Sequence, residues 1–446
     1  MSTVHPILYE PVDDVERLDV YRPGGYHPIQ VGDHLHNRYG VVHKLGHGSF
    51  STIWLAKDEQ LSKYVAIKVG TAYSDHKEAD ILAELASPAC RKQDQRGNKL
   101  ITPVFDRFTL DGPNGTHPCL VTSPARCSLA DAKEASTFPD GMFQLDVARS
   151  MAAQVAMAVA FIHDNGYVHG DLHLGNILLQ FPWRLDLLST SQLYEEFGHP
   201  DPQPVVRADG ESLSAGVPSH VFPPVWLGKI SEHITLAQAK ILLTDFGVAF
   251  RPAQESRFKS YSPLPIRPPE ARFDVTTPLS FSSDIWSLAC AIWEILGLRP
   301  LFDGWLCTED DITSDQIEAL GPLPPEWWKK WDARSKYYTE DGQPKESCEA
   351  WSWNQRLERD IQDPRRRSGL DILEEEEQDA LFEMLWRMLA FRPEDRPSAN
   401  EVLQMAWMRN WAIPDSERTW NNEGDMKQRI GLPKSSNSQA PGQDLN

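Results

Sequence analysis

The sequence predicts an α+β fold in two parts, a small antiparallel-β front and a larger, mainly helical body. Two observations predict it. Between residues 39 and 122 the apolar residues fall in short runs of strand period, broken by Gly or polar turns. After about residue 125 they recur at helical spacing. Length agrees, since 446 residues exceed one ordinary domain of about 100–200.

Taken in order, residues 1–38 are polar, contain Pro and Gly, are acidic at Asp13–Glu16, and read as an extended arm. Tyr39–Leu45, Ser51–Lys57 and Tyr64–Val69 read as strands. His76–Leu85 reads as a helix, with Ile81, Leu82 and Leu85 at helical spacing. Leu100–Phe108 and Pro118–Thr122 read as further strands, turned through Pro113-Asn114-Gly115. Val147–Asn165, Ser282–Leu296 and Glu377–Met388 carry the strongest helical patterns. Residues about 181–236 are rich in Pro, Gly and acids and read as an inserted loop. Residues about 303–372 carry Trp305, Trp327, Trp328, Trp331, Trp351 and Trp353, and so many aromatic rings argue for a packed insert. After Trp411 the chain is polar and reads as a disordered tail.

Charge and cysteines narrow the function classes. The chain has 44 Lys+Arg against 64 Asp+Glu, a formal net charge of −20. Nucleic-acid phosphates need a basic footprint, so direct nucleic-acid binding is not expected. Cationic partners are permitted. No two of the six cysteines form CxxC, which gives no zinc or thioredoxin signature. The apolar stretches Met151–His163 and Ile285–Leu298 read as buried helices, too short to span a bilayer. No secretory or lipidation signal is read, so the expectation is a cytoplasmic or nuclear chain with no membrane partner. Arg365–Ser368 (RRRS) is a candidate nuclear address, weighed against a solvated surface run.

The residues that carry chemistry come in a fixed order. Leu45-Gly46-His47-Gly48-Ser49-Phe50-Ser51 lies between two strand patterns, where glycines let backbone N–H groups approach phosphates. Val65-Ala66-Ile67-Lys68 is an apolar strand ending in lysine, and Glu78 follows on a helix. A strand lysine held by a helix glutamate suits α/β-phosphates. His169-Gly170-Asp171-Leu172-His173-Leu174-Gly175-Asn176 then sets Asp171 and Asn176 in a polar loop between buried segments. A carboxylate there can take the proton of an attacking hydroxyl, and an amide oxygen can ligate Mg²⁺. Thr244-Asp245-Phe246-Gly247 adds a second carboxylate after an apolar strand, as a phosphate-bound divalent ion requires.

This ordered set resembles the eukaryotic protein-kinase fold, which implies a bilobal architecture with ATP between the lobes. Pro268-Pro269-Glu270 resembles the family's APE motif, Asp284-Ile285-Trp286 its DxW helix, and Arg396 the arginine that pairs with Glu270. The resemblance covers about residues 39–411 and implies an N-lobe at 39–124 and a C-lobe at 125–411 with the two inserts, which leaves the polar arm at 1–38 and the polar tail at 412–446 outside it. It implies that Asp171, Lys68, Asn176 and His173 serve catalysis and that Asn176 and Asp245 hold Mg²⁺. It implies further that Leu45, Gly46, His47, Gly48, Ser49, Phe50, Ile53, Ala66, Lys68, Glu78 and Thr122 surround ATP. Tyr21–Pro28, Phe50–Ala56 and Asn114–Cys119 resemble the SR-protein kinases, as does the long gap between Asn176 and Asp245. That resemblance implies transfer to serine in Arg-Ser segments of splicing factors, with a bearing on mRNA splicing, by a monomer. The acids of Glu309–Glu318 (Glu309, Asp310, Asp311, Asp315, Glu318) would then grip arginines, the bland alternative being a solvated helix face.

Two departures stand out. Gly170 replaces an arginine that in many kinases reads an activation-loop phosphate, so constitutive activity is expected. Ser256, Ser260 and Ser262 remain candidate phosphosites. His173 replaces the usual lysine two residues after the catalytic aspartate, and a mainly neutral ring would make the chemistry slower or pH-sensitive. Two other readings stay open: a pseudokinase scaffold, and a small-molecule phosphotransferase of aminoglycoside/choline-kinase type, which HGDLHxGN also resembles.

Overall fold

The computed structural model describes residues 8–90, 96–136, 141–181, 183–302, 307–340, 342–345 and 351–429. Strand-period runs of apolar residues build a six-stranded antiparallel sheet from β1 (His34–Leu35), β2 (Tyr39–Gly48), β3 (Ser51–Asp58), β4 (Lys63–Gly70), β5 (Val104–Gly112) and β6 (Gly115–Thr122). The spatial order is β1-β2-β3-β4-β6-β5. Tyr39, Val41, Trp54, Val65, Ile67, Phe108 and Val121 form its own small core. The register lines up Gly46 with Ile53, Ile53 with Lys68, and Lys68 with Leu120. A single row across the sheet therefore runs from the glycine hairpin to the lysine. Helix α1 (Lys77–Leu85) packs behind, with Ala79, Ile81, Leu82 and Leu85 buried.

The strand expected at Leu100–Phe108 begins later. Arg96–Leu100 is a 3₁₀ turn and β5 starts at Val104. Pro103 has no N–H for a ladder and disfavours a regular path for Thr102, which accounts for the delay.

The helical lobe is built around α3 (Leu145–Asp164), which follows the short α2 (Leu129–Glu134). By length and composition α3 could cross a membrane, contrary to the sequence expectation of a span too short, but most of its apolar window is buried inside the protein. It packs with a later helix, Phe281–Leu296, whose Ile285, Trp286, Leu288, Ile292 and Trp293 share the main core. A second, three-stranded sheet links the lobes: β7 (Ala125–Ser128), β8 (Ile177–Gln180) and, further on, Ile241–Leu243, with β8 central.

The 181–236 segment is not a loop hanging from this lobe. It carries α4 (Thr190–Phe197) and a two-strand pair, β9 (Gln203–Pro204) with β10 (His220–Val221), so Ile241–Leu243 is β11. Leu185, Leu193 and Leu227 pack against Val42, Leu55 and Tyr64 of the N-lobe sheet. Val205, Val217 and Val221 pack against Tyr9, Leu18, Tyr21 and Tyr26 of the arm. Arm and insert together cover the N-lobe.

Residues 307–340 carry the packed aromatic cluster expected of the other insert, with Trp327, Trp331, Tyr337 and Tyr338 around Phe273. Trp305 lies outside the described residues. The chain past Trp411 departs from the disordered tail: a helix spans Ile413–Arg429 and packs on α3, burying Ser416 and Thr419. Its polar composition masks this, because small hydroxyls fill the contact; Ser150 and Thr419 share a hydrogen bond of 2.7 Å. Residues 430–446 of the tail lie outside the described residues. Arg365 of the RRRS run is fully buried and donates to the Leu296 carbonyl, while Arg366 and Arg367 are exposed and pair with Glu358 and Asp363.

Glu270 and Arg396 form a buried bidentate pair at 2.7–2.8 Å. Arg396 also donates to the Ala390, Phe391 and Ser282 carbonyls and lies over the Trp286 ring.

Candidate active site

Lys68 projects from β4 and meets two carboxylates. Its Nζ lies 2.7 Å from Glu78 Oε2 on α1 and 2.9 Å from Asp245 Oδ1. Burial alone would lower the ammonium pKa, but the two anions outweigh it and hold the group above its usual value. Lys68 is therefore charged at neutral pH. Burial likewise pushes Asp245 up, and Lys68 more than reverses that, holding the carboxylate ionised. Glu78 also accepts the Phe246 N–H at 3.3 Å, tying α1 to the Asp245 turn.

Asp245 adopts φ 62°, the left-handed region, which costs a non-glycine residue conformational energy that Asp tolerates better than most. Buried Phe246 anchors the turn, its ring edge-on to His169 at 5.0 Å. Strands β8 and β11 bring the two halves of the site together: Ile177 pairs with Leu243, and Thr244 N–H donates to the Asn176 carbonyl at 3.0 Å. Asn176 and Asp245 thus sit at the same end of neighbouring strands.

Asp171 faces this junction. Its Oδ1 is buried with no hydrogen-bond partner among the described residues. Asn176 Nδ2 donates to the Asp171 carbonyl at 2.9 Å and lies 3.5 Å from Oδ2. That amide thereby turns its nitrogen to Asp171 and keeps its oxygen as an acceptor. His173 Nε2 stands 3.7 Å from Asp171 Oδ2, and its Nδ1 accepts the Gly175 N–H at 3.1 Å. A backbone N–H can only donate, so the neutral ring carries its proton on Nε2, the side facing Asp171.

The loop is held from below by Asp284. That buried carboxylate accepts the His169 N–H at 2.7 Å and the Gly170 N–H at 2.9 Å, and His163 Nε2 lies 3.0 Å away. Burial pushes its pKa up, but the His163 hydrogen bond and charge, with His169 and the Gly170 N–H, together outweigh burial and leave it below the usual value. A depressed carboxylate contributes stability that is full above the unfolded pKa, about 3.9, and is lost as pH falls through the folded one. Asp284→Asn should cost about 3 kcal/mol in urea denaturation at pH 7 and flatten the acid limb of the stability curve. A loss under about 0.5 kcal/mol would show that the carboxylate does not hold the loop.

Gly170 has φ +78°, and a Cβ there would lie 3.3 Å from the Val248 carbonyl and 3.7 Å from Arg257 Nη1. The space beside it is filled from residues 247–268, the segment that follows the Asp245 turn and corresponds to the activation segment of the resemblance. Arg257 donates to the Val248 carbonyl, stacks on Phe250, and pairs with Glu255 at 2.8 Å. Glu255 reaches on to Lys77 of α1 at 3.3 Å. Ser262 Oγ donates to the Gly170 carbonyl at 3.4 Å. Ser260 and Ser262 are buried, so of the three candidate phosphosites only Ser256 is exposed.

A protein kinase domain model matches residues 39–185 and 231–408. The chain belongs to the protein kinase family. The unmatched stretch 186–230 falls within the insert. A serine/threonine protein kinase of Aspergillus fumigatus is 27% identical over 90% of this chain and 93% of its own length. The serine/threonine-protein kinase SRPK of Physarum polycephalum is 25% identical over 88% and 91%. Human SRSF protein kinase 3 is 33% identical over 37% of this chain and 30% of its own. A solved crystal structure of a kinase domain superposes with TM-score 0.56 at 20% identity, covering 86% of this chain and 98% of that one, which shows the fold. This kinase is a serine/threonine enzyme of SRPK type, and its family uses ATP and a divalent metal.

The remaining sequence-predicted residues fall on the N-lobe side. Leu45, Gly46, His47 and Gly48 end β2, Ser49 and Phe50 form the turn, and Ile53 lies on β3. Phe50 is 75% exposed at the tip. Ala66 pairs with Thr122 across β4 and β6, just before the chain leaves the lobe. The expected acidic grip is different. Glu309–Leu320 is a helix, but its acids already have partners: Glu309 with Arg267, Asp310 with Arg272 and Trp331 Nε1, Asp311 with Tyr337, and Asp315 and Glu318 with Arg356. Glu309 and Asp310 keep the most exposure of the four acids in ion pairs, 50% and 32% of their side chains. Asp284 was visible in the sequence only as part of a helix motif. Arg257 gave no signal, since an isolated arginine in a polar stretch marks nothing.

Proposed function

We propose that this kinase transfers the γ-phosphate of ATP to serine in arginine-rich protein segments, without prior phosphorylation of its own activation segment. The observation that carries the reading is the joined set Lys68–Glu78–Asp245 beside Asp171 and Asn176, already in bonding distance. Lys68 orients the α/β-phosphates. Asp171, whose side chain is part-exposed beside Asn176 and His173, accepts the serine hydroxyl proton. His173 offers its Nε2 proton to the transferred group as a neutral donor. Gly46 and Gly48 leave room for phosphates under the hairpin, since a Cβ on either would meet nothing within 4 Å.

Asn176 and Asp245 form an all-oxygen donor pair, and Mg²⁺ favours one or two such protein ligands completed by water and phosphate oxygens. When bound, the ion neutralises charge on the phosphates.

Phosphorylation-independent activity is supported by the Lys77–Glu255–Arg257 contacts, which hold the activation segment to α1 with a carboxylate where a phosphate would otherwise serve. Phosphatase-treated protein should keep its kcat within about twofold, and Arg257→Ala should lower kcat/KM about tenfold, or about 1.4 kcal/mol. Loss of activity on phosphatase treatment would refute this part.

The substrate class is supported by the SRPK-type relatives, one bearing the name SRSF protein kinase. Substrate arginines would reach Glu309 and Asp310 by exchanging with Arg267 and Arg272, which suits an exposed ion pair worth little by itself. Labelled transfer to an Arg-Ser peptide against an acidic peptide is the test. The pseudokinase reading lacks support because no member of the phosphate-handling set is missing. The small-molecule reading is disfavoured by the buried Glu270–Arg396 pair.

A further inference from the structure

The arm does more than cover hydrophobic surface. Its backbone is fixed to the insert, Glu10 N–H donating to the Val206 carbonyl at 2.9 Å and Ala208 N–H to the Leu8 carbonyl at 3.1 Å. Asn114 Nδ2 then donates to both the Tyr26 and the Gly216 carbonyls at 2.7 Å, locking arm, insert and the β5–β6 turn together. Glu16 is buried between Lys44 of β2 and the Tyr21 hydroxyl. The arm is thus a rigid part of the N-lobe beside the glycine hairpin.

From that frame Tyr26 reaches the hairpin. Its side chain is 2% exposed, its ring packs edge-on to Tyr21 at 5.5 Å, and its hydroxyl donates to the Gly48 carbonyl at 2.7 Å. In a trans peptide the C=O and the following N–H point in opposite directions. Holding the Gly48 carbonyl toward the arm therefore turns the Ser49 N–H away from it. The far side of the turn is tied as well. The Phe50 carbonyl accepts the Thr71 N–H at 2.8 Å, and the next two residues return to the arm, Ala72 N–H to the Gly25 carbonyl at 3.0 Å and Tyr73 N–H to the Gly24 carbonyl at 3.1 Å. Gly24–Tyr26 thus fastens the turn from both ends, where glycine would otherwise leave the backbone free.

We propose that Tyr26 is a positioning residue for nucleotide binding: its hydroxyl sets the Gly48–Ser49 peptide so that the Ser49 N–H meets a phosphate oxygen of ATP. The inference rests on reading the hairpin as the phosphate loop.

The test uses the full chain as wild type, Tyr26→Phe and Tyr64→Phe. Tyr64 is the control, another buried tyrosine whose hydroxyl donates to the Leu188 carbonyl at 3.2 Å, joining N-lobe and insert away from the hairpin. Binding of MgATP and of adenosine is measured by calorimetry, with peptide KM and melting temperature alongside. Tyr26→Phe should weaken MgATP about fivefold, the order of one neutral hydrogen bond, while adenosine affinity and peptide KM stay within about twofold. Its melting temperature should match that of Tyr64→Phe, which should leave MgATP affinity unchanged. Unchanged MgATP affinity in Tyr26→Phe, an equal loss for adenosine, or an equal loss in Tyr64→Phe would each overturn the proposal. Wild type that binds no nucleotide at all would overturn the kinase reading, and this inference with it.

Discussion

Asp171→Asn should lower kcat by about 10³-fold, near 4 kcal/mol of transition-state stabilisation, while leaving MgATP affinity within about twofold. The substitution is nearly isosteric, so the loop should survive it. Asn176 bonds to the backbone carbonyl of residue 171 at 2.9 Å, and Asp284 holds His169 and Gly170 through their N–H groups. None of those contacts needs the Asp171 carboxylate. What the amide loses is the ability to take a proton, and Asp245, the second carboxylate of the site, is committed to Lys68. A kcat within tenfold of wild type would show that Asp171 does not accept the hydroxyl proton. A tenfold loss of MgATP affinity would show instead that it acts on the ground state.

Arg396→Ala should destabilise the fold by about 3–5 kcal/mol in urea denaturation. Glu270 would remain as a buried charge whose partner is gone, and three carbonyls would lose a donor. Domains of this kind are stable by about 5–15 kcal/mol, so one substitution could consume much of that margin. Replacing the pair by Glu270→Gln with Arg396→Met should recover part of the loss, because no uncompensated charge then remains. A single-variant loss below about 1 kcal/mol, or a double variant worse than the single, would contradict the buried-charge explanation.

What the sequence made legible was whatever rests on local periodicity or short spacing. The strands carrying Gly46 and Lys68, the helix carrying Glu78 and the loops of Asp171 and Asp245 are each encoded within a dozen residues, and the structure brings these side chains together. The arm and insert were not legible. Tyr9 and Arg207, or Tyr26 and Gly48, are joined by contacts whose partners have no periodic signature. The acidic run of Glu309–Glu318 was visible as charge, but its neutralisation by Arg267, Arg272 and Arg356 depends on tertiary neighbours that composition does not encode. The consequence of Gly170 was half legible: the missing arginine was plain, while the filling of its space by Arg257 required the folded chain.

The most direct measurement is transfer of label from γ-labelled ATP by phosphatase-treated wild type and Asp171→Asn, offered an Arg-Ser peptide, an acidic peptide and a small amino-alcohol. Label on serine of the Arg-Ser peptide, from wild type and at the background level from Asp171→Asn, is the expected result. Label on none of the three, or on the amino-alcohol alone, would contradict the reading of this site as one that phosphorylates arginine-rich proteins.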